Sequence, residues 1–432
     1  MNKILKNIIW LLFDVIFILV LQFFIGVKVA NYYGSESFGL YNYAVTIVSF
    51  SSILFEIFNN RVIKKFFNDN NFNYIVYNVN FFRNILAIFI FVGILIIGKF
   101  TVNDKLFYYT LVLLCFDNIL LVSTSGIENY FEYKLNSKNI VIINNFIKLI
   151  SYIGQYIGII LNYSIIMIPI TRCLGSIIRI LTLNYFYRKN YLKNKKVKEK
   201  IDKHLILKII KESFYLWISY IGFLIYTQID KVMLGSYLGN KEVGVYSIAV
   251  QLTSFLAILI APIQVSLFPK MIDLNRRNDK AYYNFYLGAN TGITQLYLLA
   301  CVSSIIVVKI LFPYIFSVEY LSAITIYSIL TVSIFFKANG ALQTGHMTIK
   351  EITKKSCYKT FLGLFINIIL NHFLIKKYGI NGAAIATSIT QCLVLFVFDF
   401  FIKEYREQAV IQLKSFNPFY LKKLFLKGEK NV

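Results

Sequence analysis

Lys148, Arg172 and Arg179 stand in stretches otherwise built largely of Ile, Leu, Tyr and Asn. Ionisable groups in such surroundings are costly and normally face a cavity or a partner. Lys148 belongs to a polar stripe, Asn144, Lys148, Ser151 and Gln155, at positions i, i+4, i+7 and i+11. On an α-helix these share one face. Arg172 and Arg179 are seven residues apart, which also places them on one face. Lys and Arg so placed can form a cationic cavity that pairs with compact negative charge such as phosphate. The competing reading is a buried ion pair, with Asp117 opposite Lys148 or Arg172. Both stay open, because one cation can exchange partners.

Lys337 is followed by Asn339 and Gly340, which interrupt their helix; it either lines the cavity or reaches the inner surface. Asp14 and Glu56 are candidates for a proton or sodium coupling role, and Asp117 for a coupling or gate charge. Asp230 and Lys231 read either as a cavity or gate charge or as an interfacial pair closing the outer side. A second stripe, Asn42, Thr46, Ser49, Glu56 and Asn60, is placed on the second helix. For Thr46 and Ser49 ordinary small-polar helix packing is the preferred reading. Glu56 pairs with Arg61 or with a neighbouring helix. Arg83, Lys359 and Asp399 lie near helix ends, where long side chains reach the surface, and need no special role.

The elements that carry these residues follow from composition. Of 432 residues, 57 % are hydrophobic and only 15 % charged. A soluble domain has about 45–50 % apolar and about 25 % charged residues. One membrane-spanning helix needs about 20 mainly apolar residues. Twelve continuous apolar segments are predicted, near 8–30, 40–60, 81–98, 106–126, 140–161, 163–186, 213–234, 244–269, 291–312, 322–342, 357–376 and 380–402. The fold class is therefore an all-α polytopic membrane protein. A β-barrel does not fit, because its strands alternate apolar and polar residues. The run from Ile8 to Ala30 is too long for a signal peptide and reads as the first span. The five cysteines and three histidines have no metal spacing, and no disulfide framework is expected.

The longest hydrophilic connection, 187–212, divides the chain into a six-helix bundle at 1–186 and a second at 213–402, with a basic tail at 403–432. With both termini in the cytoplasm, inner segments carry 31 Lys and Arg against 7 in outer loops. That imbalance predicts cytoplasmic termini. The net charge of +24 is then loop charge attracted to anionic lipids at the linker and tail, with no call for nucleic acid. The two halves repeat. Tyr32–Leu54 and Tyr237–Leu259, offset by 205 residues, agree at ten of 23 positions, including Gly34/Gly239, Gly39/Gly244 and Tyr41/Tyr246. Six helices separate the copies, so the repeat is parallel. Two pseudo-symmetric bundles around a central cavity would suit alternating access.

GSESFGLYNYAVTIVS (34–49) and QIDKVMLGSYLGNKEVGVYSIAVQL (228–252) resemble the polysaccharide transporters, the O-antigen and capsule repeat-unit flippases. These belong to the multidrug/oligosaccharidyl-lipid/polysaccharide exporter (MOP) superfamily. SLFPKM (266–271) and YGINGAAIATSI (378–389) follow where that family places them. Asn162–Ile178 departs from the Gly-Ala-rich pattern of the second half, and no thirteenth or fourteenth helix is found. The resemblance implies transport, from the inner to the outer leaflet of a bacterial or archaeal cytoplasmic membrane, of an oligosaccharide on undecaprenyl diphosphate. The product would feed O-antigen, lipopolysaccharide or another surface polysaccharide. The cationic residues Lys148, Arg172, Arg179 and Lys337 would then meet the diphosphate. No cofactor is implied beyond H+ or Na+ as coupling ion, and other polysaccharide-assembly membrane proteins are implied as partners. The alternative is a cation-coupled multidrug exporter of the same superfamily. A membrane polysaccharide polymerase fits less well, since every outer loop is short and no nucleophile or metal motif appears.

Overall fold

The computed structural model describes residues 3–67, 72–134, 137–192, 201–352 and 354–424. Among them all regular structure is helical. Ten helical stretches are long and apolar enough to cross a membrane. The first, Phe13–Phe66, carries two of the twelve predicted segments. The seventh predicted segment lies in Lys203–Tyr237, which is not among the ten. About twelve membrane helices result.

The chain forms two compact units, 1–225 and 226–432. In the first unit, α1 (Lys3–Ser49) packs on α5 (Ser137–Ile160), α5 on α6 (Met167–Tyr187), and α6 on α3 (Lys105–Ser123). Helix α2 (Phe72–Thr101) lies along α3, and the short α4 (Ser125–Tyr133) follows α3 directly. Exposed Ile142, Phe146, Ile150 and Ile157 occupy the other side of α5 from its polar stripe, as lipid contact demands. The α5–α6 hairpin is tight. Asn162 takes a left-handed φ of 57°, and the Tyr163 and Asn162 N–H groups donate to Gly158 O (2.9 Å) and Ile159 O (3.1 Å). This pattern closes a helix end, and Asn tolerates that conformation better than most residues.

Gly34 breaks α1 at φ 73°, ψ 171°. Its repeat counterpart Gly239 adopts φ 104°, ψ −174° between α7 (Lys203–Tyr237) and α8 (Asn240–Ala257). This region is essentially restricted to glycine and costs other residues about 1–3 kcal/mol. Gly239→Ala is therefore expected to lower the melting temperature of the detergent-purified protein, although its Cβ would meet only Glu242 Oε2 at 3.9 Å. An unchanged melting temperature would show that the backbone conformation carries no such constraint.

Several expectations change. The second stripe ends with α1 at Ser49, so Glu56 and Asn60 do not extend it. Thr46, Ser49, Ser51 and Ser52 each donate back to a carbonyl three or four residues earlier, at 2.6–2.9 Å. Such bonds compete with helix continuation. The linker is also shorter than 187–212, because Lys203–Glu212 already lies in α7. Asp202 Oδ1 caps this helix, accepting from His204 N (2.9 Å) and Leu205 N (3.1 Å). Ile206 and Ile209 bury against Phe72, Tyr130 and Tyr187 of the first unit. The most basic linker residues, 193–200, lie outside the described residues.

The tail, finally, is part of the second unit as far as Leu424. That unit contains α8, α9 (Asp279–Ile315), α10 (Ala323–Asn339), α11 (Lys354–Tyr378), α12 (Ile380–Cys392) and α13 (Arg406–Lys414). Gln408, Ala409, Ile411 and Gln412 of α13 are buried. Residues 418–424 lie on α9 closely enough that a methyl at Gly288 would collide with the Leu424 backbone. Residues 425–432 lie outside the described residues. Lys359 and Asp399 form a fully buried salt bridge of 2.6 Å. Neither reaches the surface as expected from its place near a helix end, and Gln343 also donates to Asp399. Cys115, Cys173, Cys301 and Cys392 are free thiols.

Candidate functional site

Each unit holds a buried polar cluster built around predicted residues. In the first, α1 supplies Asp14 and Tyr41, α3 Asp117, α4 Glu128, α5 the Asn144–Gln155 stripe, and α6 both arginines. Arg172 Nη2 lies 2.9 Å from Asp117 Oδ2, its Nε donates to the same oxygen at 3.1 Å, and its Nη1 donates to Tyr41 Oη at 2.9 Å. Ser176 Oγ donates to the other Asp117 oxygen. The Asp117 side chain is 3 % exposed, against 35 % for Arg172. The ion-pair alternative therefore applies to Arg172 with Asp117.

Arg179 is bound more completely. Its Nε donates to Asn144 Oδ1 (2.9 Å), its Nη1 to Thr124 Oγ1 (2.7 Å), and its Nη2 pairs with Glu128. Asn144 and Ser151 both face α6, since Ser151 Oγ donates to Thr171 O at 3.2 Å. Gln155 is buried one turn further along. The stripe thus forms one face, and it meets the arginine helix.

Lys148, between Asn144 and Ser151, is half-buried and makes no hydrogen bond or salt bridge among the described residues. The charges of Asp14, Arg179 and Glu128 act on it. Asp14 Oδ1 is buried and has no hydrogen-bond partner among the described residues. Three cations, Lys148, Arg172 and Arg179, thus share this region with three carboxylates, Asp14, Asp117 and Glu128. The cluster is charge-balanced, with the ion-pair alternative realised at Arg172 beside the expected cations. Of the three cations, Lys148 alone has a head group free of direct pairing among the described residues.

Glu56 lies apart from this cluster. Its Oε2 accepts from Asn59 Nδ2 at 3.0 Å, and the charge of Arg83 acts on it more strongly than that of Arg61. Arg83 is 3 % exposed and clamps the chain after α1, donating to Phe58 O, Asn60 Oδ1 (2.9 Å) and Ser125 Oγ (2.7 Å).

In the second unit Asp230 of α7 is 6 % exposed. It accepts from Tyr246 Oη of α8 (2.7 Å), Asn371 Nδ2 of α11 (2.7 Å) and Thr387 Oγ1 of α12. Asn371 Nδ2 also reaches Asn367 Oδ1 at 3.0 Å, while Asn371 Oδ1 is buried without a hydrogen-bond partner among the described residues. The charges of Lys231 and Lys337 act on Asp230, but neither makes a salt bridge among the described residues. Lys337 sits in the last turn of α10, which ends at Gly340. Asp230 is held by neutral donors, so the reading of Asp230 with Lys231 as a direct interfacial pair does not apply.

Tyr41 and Tyr246 occupy equivalent positions of the repeat, and each binds a charged residue of its own unit. Tyr41 accepts from a cation, Arg172; Tyr246 donates to an anion, Asp230. A tyrosine hydroxyl can do either. The chemistry of the two sites has diverged on a common frame. The repeat identity at these positions was the signal for both tyrosines. Glu128, Asn371 and Thr387 carried none. Glu128 falls between two apolar segments, and the other two are ordinary polar residues in spans.

A family model described as "Polysaccharide biosynthesis protein" matches residues 4–275. The "Probable low-salt glycan biosynthesis flippase Agl15" of Haloferax volcanii is 24% identical over 184 residues, covering 41% of this chain and 38% of its own. An "Uncharacterized membrane protein MJ1375" of Methanocaldococcus jannaschii is 22% identical over 204 residues, covering 47% of this chain and 48% of its own. The matches thus span less than half the length of these relatives. Among solved structures, the fold is similar to "Lipid II flippase MurJ, inward closed conformation", with a TM-score of 0.71 and 17% identity over 99% of this chain and 94% of that one. It is also similar to an inward-facing multidrug resistance MATE family transporter of the MOP superfamily, with a TM-score of 0.66 and 14% identity over 94% and 96% of the two chains. With its fold shared by MOP transporters and its sequence matched over more than half its length, this chain belongs to the polysaccharide biosynthesis protein family.

Proposed function

We propose that the chain is a flippase moving oligosaccharide repeat units, linked to a phosphate-bearing polyprenyl carrier such as undecaprenyl diphosphate, across the cytoplasmic membrane by alternating access. The observation that carries this reading is Lys148, a half-buried ammonium with no direct partner among the described residues, beside two paired arginines. An arriving phosphate would bind Lys148 first. It would then compete with Asp117 and Glu128 for Arg172 and Arg179, whose planar heads suit phosphate oxygens. In the second unit Lys337, like Lys231, makes no salt bridge among the described residues. The family match and the glycan flippase among the relatives support the substrate class. Delivery to O-antigen, lipopolysaccharide or another surface polysaccharide, cytoplasmic termini, and contact of the basic linker with anionic lipids belong to the same proposal.

H+ or Na+ would couple at Asp230. A carboxylate ringed by neutral oxygens and amides, with the free Asn371 Oδ1 on an adjoining side chain, suits a proton or a hard cation. This site also favours the second reading, a cation-coupled multidrug exporter. Asp230→Asn is expected to abolish dependence of transport on the ion gradient while the protein still purifies as a folded species. Gradient dependence equal to wild type would remove Asp230 from the coupling role.

The decisive test is a deletion strain with a leaflet assay. Lipid-linked glycan should accumulate on the cytoplasmic side and be cleared by the restored gene. Normal surface glycan with increased sensitivity to cationic drugs would select the exporter instead.

A further inference from the structure

Asn73, Tyr77, Asn80 and Asn84 of α2 repeat the i, i+4, i+7, i+11 spacing of the α5 stripe, on a helix that takes no part in the cluster above. They border a cavity of about 290 Å³ within the first unit, completed by Asn184, Tyr187 and Arg188 at the end of α6. Part of this polar lining is committed. Asn73 Oδ1 accepts from Tyr187 Oη (2.7 Å), Asn80 Oδ1 from Gly126 N (2.9 Å), and Asn184 Nδ2 donates to Ile180 O (2.9 Å). Part is not. Asn84 Oδ1 is buried with no partner, and the exposed Arg188 side chain makes no hydrogen bond or salt bridge among the described residues.

Both walls turn apolar one turn nearer the middle of their helices. The α2 face continues from Asn84 to Ile88, and the α6 face from Asn184 back to Leu181; these are 56% and 67% exposed. The groove therefore has a cationic rim at the helix ends, an amide-lined interior, and bare hydrocarbon surface beyond. That is the polarity profile of an amphiphile lying along the helices. Amides both donate and accept, which suits hydroxyls, while the guanidinium suits phosphate. The volume lies at the small end for ligand pockets, enough for a head group with the chains left outside.

We infer that this groove binds the phosphate-bearing, hydroxyl-rich head of a membrane lipid in the leaflet on the Arg188 side, at a site separate from the Lys148 cluster. The lipid is either a bulk phospholipid or a polyprenyl-phosphate sugar, which share this head chemistry.

The test uses the full chain in detergent, with native mass spectrometry and three probes: phosphatidylglycerol, a polyprenyl-phosphate hexose, and phosphatidylcholine, which lacks hydroxyls. Wild type should retain at least one of the first two about tenfold better than phosphatidylcholine. Retention of only phosphatidylglycerol identifies a bulk lipid; retention of only the hexose lipid identifies a carrier. Arg188→Ala and the near-isosteric Asn84→Asp should each reduce retention about tenfold, with Lys99→Ala as an exposed control that leaves it unchanged. Arg188 is exposed, so its variant keeps the wild-type melting temperature. Equal retention of all three lipids would overturn the inference. So would wild-type retention by both variants, an equal loss in Lys99→Ala, or replacement of lipid by a co-purifying protein that occupies the groove.

Discussion

Lys148→Gln should lower lipid-linked glycan transport about 10- to 100-fold without changing the melting temperature. The side chain makes no hydrogen bond or salt bridge among the described residues, so its removal leaves none of them newly unpaired. A hydrogen bond to a charged group contributes about 1.5–3 kcal/mol, which sets this range. Lys148→Arg should retain much of the activity if phosphate pairing is the role. Transport at the wild-type rate in Lys148→Gln, Arg172→Gln and Arg179→Gln alike would refute the phosphate site. Equal loss in Lys148→Gln and Lys148→Arg would instead mean that shape, not charge, matters there.

Arg179 should behave differently, with the largest effect on stability. Arg179→Met strands Glu128, and Glu128→Gln strands Arg179, in a setting where the arginine side chain is 9% exposed and the glutamate 23%. Breaking a buried pair from one side costs about 3–5 kcal/mol, whereas replacing both partners with neutral groups is often close to neutral. Each single variant should therefore melt well below wild type, and the double variant should recover most of the loss. Single variants that melt like wild type would mean the pair is solvated. A double variant no better than the singles would mean that Asn144 and Thr124, the other acceptors of Arg179, carry the stability. Transport by a folded double variant separates stability from function: it should be impaired if Arg179 exchanges Glu128 for phosphate.

Much of this architecture was legible before any coordinates. Continuous apolar runs can satisfy their backbone groups in a bilayer only as helices, so the all-α class followed from composition. The helical period was enough to put Asn144, Lys148, Ser151 and Gln155 on one face. The matched glycines at 34 and 239 announced a shared backbone feature, because only glycine adopts that conformation without strain. Boundaries were less legible. Lys203–Glu212 is charged enough to read as linker, yet its isoleucines recur at helical spacing and bury against the first unit. Glu56 and Asn60 extended a stripe by arithmetic, but hydroxyl side chains end that helix at Ser49.

What residue order determined about this protein was local: which segments are helices, which faces are polar, and where the chain repeats itself. Which charges meet was decided by tertiary structure. Asp117 had two candidate partners, and the packing of α6 against α3 chose Arg172 over Lys148. Arg179 found Glu128 on a nine-residue helix that hydropathy passes over. Asp230 gathered its donors from three other helices, the most distant 157 positions along the chain. A helical period fixes angles around one axis, but an ion pair needs two axes brought within a few ångströms, and only packing supplies the second. The result is two units built on the same repeat, one holding a cation at Tyr41 and the other an anion at Tyr246.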